Sequence, residues 1–128
     1  MGNKGKVIDN STYLERYKKI GEVETALKAQ FAGMPKKQLN VVEGLIKRAA
    51  FMRVLLEGLE EDIKKNGEFE LFTQSDMVEP YQRKRPAVDI YNITIKNYAN
   101  AVKQLTDLLP KEPPKADSDK FDDFLNNV

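Results

Sequence analysis

Three groups of side chains have the types and spacing that chemistry requires. They are a basic run, Arg83-Lys84-Arg85, an acidic group, Glu57, Glu60, Glu61 and Asp62, and a glycine–lysine start, Gly2-Asn3-Lys4-Gly5-Lys6. The basic run would attract a polyanion by charge alone. The acidic group could in principle hold magnesium. The start resembles half of a phosphate loop, but such a loop needs a wider gap between its glycines and a Ser or Thr after its lysine. Here Val7 follows Lys6, so no hydroxyl is placed to reach a metal-bound phosphate.

The 128 residues include no Cys and no His, which excludes thiolate or imidazole zinc sites, a Cys nucleophile and a His general base. Catalysis is therefore disfavoured: no catalytic residue, no metal ligand and no cofactor is assigned. The acidic group has a simpler reading as a solvated face. Glu60 and Glu61 stand four residues before Lys64 and Lys65, the favourable orientation for ion pairs along a helix. Glu15→Lys19, Glu24→Lys28 and Glu43→Lys47 repeat that arrangement.

Cations outside those pairs are the candidates for phosphate contact: Lys4, Lys6, Lys18, Lys36, Lys37, Arg48, Arg53, Arg83, Lys84 and Arg85. The net charge is only +1, but residues 1–66 carry thirteen Lys/Arg against nine Asp/Glu and residues 111–128 carry three against five. A basic front and an acidic tail can engage different partners. In the tail, Phe121, Asp122, Asp123, Phe124 and Leu125 set apolar anchors among carboxylates after a proline-rich linker, the make-up of a short partner-binding segment.

These groups must be positioned by helices. Tyr13, Tyr17, Ile20, Val23, Leu27 and Phe31 keep helical spacing and predict a helix from Thr12 to about Ala32, capped by Asn10, Ser11 or Thr12 and ended by Gly33. A second helix is predicted from about Pro35 to Asn66, with the seam Val42, Leu45, Ala49, Met52, Leu56, Leu59 and Ile63 and a stop at Asn66-Gly67. "EFELF" and "MVEPYQ" alternate like short strands around Gln74-Ser75-Asp76. Pro86 then opens a third helix whose seam runs through Val88, Tyr91, Ile95, Tyr98, Val102, Leu105 and Leu109 until Pro110. Tyr91 and Tyr98 are therefore core positions before they are a stacking platform.

Each of the two long helices carries a second apolar line: Val41, Gly44, Phe51, Leu55 and Gly58, and Ala87, Ile90, Ala101 and Leu108. One hairpin buries one seam apiece, so a neighbouring copy is expected to cover the remainder. The two helical glycines each cost about 1 kcal/mol relative to alanine, and close backbone approach would explain them.

The run Arg85-Pro86-Ala87, Tyr91-Asn92, Lys96-Asn97-Tyr98 and "KQLTDLLP", preceded by "LNVVEGLIKRAAFMRVLLEGLEEDIKKNG", resembles the small subunit of tailed-bacteriophage terminase, in the short type common in phages of Gram-positive bacteria. The resemblance covers roughly residues 39 to 110. It implies a non-catalytic ring of about eight to ten subunits that binds double-stranded viral DNA in the host cytoplasm and recruits the large subunit, which carries the ATPase and nuclease chemistry. Arg85 stands where members usually carry asparagine. The region before Lys36 is too short for a full helix-turn-helix, so specificity is expected partly from DNA shape.

The reading is an all-α protein: a long antiparallel helical hairpin plus an N-terminal helix, with a small β-hairpin-like connector, assembling into a ring oligomer. Residues 1–11 are expected to be a flexible segment, 12–110 the helical oligomerisation and DNA-binding domain, and 111–128 an acidic tail. No membrane partner is expected. The alternative is a helical virion-assembly chaperone or connector protein that binds no nucleic acid; a carboxylate-dependent metal enzyme is a distant third.

Overall fold

A computed structural model describes residues 10–110, with side chains from Tyr13 onward. The expected flexible start with Lys4 and Lys6, the capping side chains of Asn10, Ser11 and Thr12, and the acidic tail with Phe121–Leu125 lie outside what is described. Three helices and a two-stranded antiparallel sheet occur in the order α1 (Asn10–Ala29), α2 (Lys36–Asn66), β1 (Phe69–Phe72), β2 (Tyr81–Lys84) and α3 (Pro86–Leu108).

The terminators act much as their chemistry dictates. After Ala29 the backbone tightens into bonds from Gln30 to Leu27, Phe31 to Lys28 and Ala32 to Ala29, and Gly33 turns at φ 90°. Helix α1 thus ends earlier than its apolar spacing predicts, and the tight turn swings Phe31 into the core. Pro35 is the cap of α2 and not part of its first turn. Gly67, at φ 79°, closes α2 through its N–H to the Ile63 carbonyl at 2.8 Å. Arg85 is extended, at φ −70° and ψ 140°, because the ring of Pro86 at the start of α3 excludes the helical conformation from the preceding residue.

Helix α2 is the central member, about 47 Å long, and α1 and α3 pack antiparallel along it. The core gathers Phe31, Val42, Ile46, Ala49, Ala101 and Leu105, with Leu27, Met34, Leu39, Leu45, Met52 and Tyr98 packed around it. It sits towards the end of the bundle where α2 begins and α3 finishes. The seams of α2 and α3 meet only in part. Val42, Ala49, Leu56 and Leu105 are buried as expected, but so are Ile46, Ala50 and Val54, on neither predicted line, and Ala101, expected on the outer line. Val102 and Leu109 stay open. On α1, Ile20, Val23 and Leu27 are half-buried, and Phe31 lies in the turn after the helix. Tyr13 and Tyr17 face outward, while Glu15, Arg16 and Lys19 line an open groove against Val54 and Leu59 of α2.

The second strand lies later than expected, at Tyr81–Lys84 in place of Met77–Gln82, so Arg83 and Lys84 are strand residues. The register pairs Phe69 with Lys84, Glu70 with Arg83, Leu71 with Gln82 and Phe72 with Tyr81. Pro80, which cannot donate to a ladder, falls just outside the strand.

The helical glycines do not mark close approach within the chain. A Cβ on Gly58 would meet nothing within 4 Å, and one on Gly44 only the mobile end of Arg48 at 3.4 Å. The expectation of backbone contact is corrected for the single chain.

Candidate nucleic-acid interface

The connector cluster is built by the hairpin. Strand alternation places Glu70, Phe72, Tyr81 and Arg83 on one face and Phe69, Leu71, Gln82 and Lys84 on the other. On the first face the Arg83 guanidinium lies 3.6 Å from the Phe72 ring centre and donates to Glu70 Oε2 at 2.6 Å. Phe72 and Tyr81 meet edge to face, with ring centres 5.9 Å apart. This stack stiffens a two-stranded sheet that would be marginal alone.

Lys84 reaches forward to Asp89 in the first turn of α3, at 2.7 Å. Arg85 reaches back to α2: its guanidinium donates to both oxygens of Asp62 and to the Gly67 carbonyl, at 2.8 to 2.9 Å. Its own N–H bonds the Glu68 carbonyl at 2.8 Å. The Asp62 carboxyl is held below its usual range by Arg85 first and Asn66 second.

Arg83, Lys84 and Arg85 were expected to be unpaired; each has a carboxylate partner. Arg53 is also paired, to Glu57 at 3.7 Å. Conversely, the expected pairs Glu15→Lys19, Glu24→Lys28, Glu43→Lys47, Glu60→Lys64 and Glu61→Lys65 do not close, and Lys28 spans to Glu43 on α2 at 3.0 Å. That contact lowers the Glu43 pKa. Glu60 accepts a bond from the Tyr91 hydroxyl at 3.0 Å, which raises the phenol's pKa.

Of the remaining candidates, Lys18 lies exposed on α1 and Lys36 and Lys37 lie exposed in the first turn of α2. Arg48 donates to the Gly44 carbonyl at 3.0 Å. Among the described residues none of these four has an ion-pair partner. Lys37 and Asp62, the anchor of Arg85, are separated by about 38 Å of helix, several Debye lengths at physiological salt. The candidate cations are thus distributed along one chain and not gathered into a single patch.

Comparison with protein-family models, curated proteins and solved structures finds no match to this chain.

Asp62, Glu70 and Asp89 complete the cluster's wiring, and none was singled out as a partner from the sequence. Three of the acidic group have partners, Glu57 with Arg53, Glu60 with Tyr91 and Asp62 with Arg85. Among the described residues no cluster of three or more Asp or Glu is arranged around a common point, and no helix is long and apolar enough to cross a membrane.

Proposed function

We propose that the chain is a ring-forming, non-catalytic DNA-packaging adaptor of the terminase small-subunit kind, which holds double-stranded viral DNA and recruits a large motor subunit. The observation that carries this reading is apolar surface left open on every helix. Tyr17 of α1 is 75% exposed, Val41 of α2 79% and Ile93 of α3 64%. Phe51, Ile90 and Leu108 add to it. Apolar side chains left open on all three helices are what a contact with another macromolecule would cover, and a closed ring of identical copies covers outward faces on both flanks of each chain. The helical hairpin, and the resemblance in sequence of residues 39–110 to the short phage subunits, support the same assembly.

DNA contact falls most naturally to Lys18, Lys36, Lys37 and Arg48, since among the described residues none of them is paired with a carboxylate. Around a ring, weak contacts of this kind act together. Titrating a double-stranded fragment at several salt concentrations tests the reading. Binding should weaken steeply as salt rises, because each phosphate contact releases counterions.

The neutralised state of Arg83, Lys84 and Arg85 favours the second reading, a helical virion-assembly protein without nucleic-acid binding. Under that reading no salt-sensitive DNA affinity is found at any concentration.

A further inference from the structure

Between the last turns of α1 and α3 lies an apolar groove of about 110 Å³, walled by Leu27, Phe31, Tyr98, Val102, Leu105 and Leu109. Phe31 and Leu105 form its buried floor, whereas Val102 and Leu109 at its mouth are 38% and 39% exposed. Leu109 is both a wall of the groove and the residue before Pro110, so the chain leaves the helical domain at the groove's own rim.

The tail beyond Pro110 has the chemistry to return there. Ten residues, Lys111–Lys120, separate Pro110 from Phe121. Phe121, Phe124, Leu125 and Val128 then recur at the spacing with which an amphipathic turn enters an apolar groove. From Leu109 back to Tyr98 the groove runs about 16 Å along α3. The eleven steps from Pro110 to Phe121 span at most about 36–40 Å, so the chain is long enough for the anchors to reach every part of the groove. Charge agrees with the fit. The tail carries Asp117, Asp119, Asp122 and Asp123, and the same end of the bundle presents Lys36 and Lys37 in the first turn of α2, a turn with no acidic residue and no side-chain cap. The helix dipole adds positive charge at that end.

We propose that the segment Phe121–Val128 docks in its own chain's α1–α3 groove, with Phe121, Phe124 and Leu125 against Val102 and Leu109 and the aspartates towards Lys36 and Lys37. Tethering holds the segment at millimolar effective concentration, so a contact too weak to detect between separate molecules is enough. Docking is a property of the free chain and stands apart from the packaging reading. Where that reading also holds, the groove competes with the motor for the same anchors and keeps the tail covered until the motor is present.

The chain has no Cys, which makes bridging a clean test. In the full chain, Val102→Cys with Leu125→Cys should form an intrachain disulfide at least about tenfold faster than Ile93→Cys with Leu125→Cys, whose first site faces away from the groove. Equal rates, or bridges found only between chains, overturn the proposal. In hydrogen exchange, replacing Phe121, Phe124 and Leu125 with serine in the full chain should speed exchange in residues 98–109 and leave 86–92 as they were. Unchanged exchange in 98–109 likewise overturns it.

Discussion

Arg85 holds Asp62 with two hydrogen bonds, at 2.9 and 2.8 Å, and so fastens the connector to the last turns of α2 at the point where α3 begins. An arginine that sequence reasoning assigned to DNA is, in the folded chain, the tie between two helices and a hairpin. The same guanidinium also satisfies the Gly67 carbonyl, which a helix end would otherwise leave to solvent.

This tie has a pH signature. The Asp62 pKa is lowered in the folded state, chiefly by its hydrogen bond with Arg85. Its stabilising contribution is therefore fully present above the ordinary carboxyl value of 3.8 and is lost as pH falls through the lowered one. Denaturant unfolding of the wild type and of Asp62→Asn should accordingly differ near neutral pH and converge in acid. Hydrogen exchange of residues 69–84 should quicken in Arg85→Ala while the α1–α2 core stays protected.

Lys36→Ala with Lys37→Ala should reduce the slope of log affinity against log salt by as much as about 2, near 0.9 for each phosphate contact removed. Replacing Arg83, Lys84 and Arg85 together should change the slope less, because their carboxylates already compete for them. A larger slope change from the connector triple would place the DNA on the hairpin.

Much of this fold was legible because its signals are local. Asn66-Gly67 and Arg85-Pro86 stop and start helices through the conformations that glycine and proline allow. The seams of α2 and α3 locate the shared faces only roughly, since Ile46 and Ala101 are buried off them and Val102 on them is open. Pairing between elements leaves no such trace. Arg85 and Asp62 stand 23 residues apart and Arg83 and Glu70 stand 13 apart, so only the folded hairpin brings them together. For α1, apolar spacing names a common face without saying how much of that face meets a neighbour. Tyr13 and Tyr17 continue the stripe of Leu27 and Phe31 yet point to solvent. The candidate DNA site was the least legible part, since a free lysine and a paired one look alike in a string.

Phe31 shows how closely the small core depends on one turn. Phe31→Ala should destabilise the chain by about 3–5 kcal/mol, read by urea unfolding, because the ring is fully buried between all three helices.

Gly58→Ala separates chain from assembly. With no atom within 4 Å of the added methyl, the substitution should stabilise the isolated chain by about 1 kcal/mol. If a neighbouring copy packs against Gly58, the same substitution should weaken assembly, seen by size-exclusion chromatography with light scattering.

The proposed ring rests on apolar surface that a single copy leaves open. Native mass spectrometry of the full chain measures it directly, alongside Val41→Glu with Phe51→Glu. A closed species of about eight to ten chains that falls to folded monomers in the double variant is the expected result. A wild-type chain that stays monomeric at every concentration tried would contradict it.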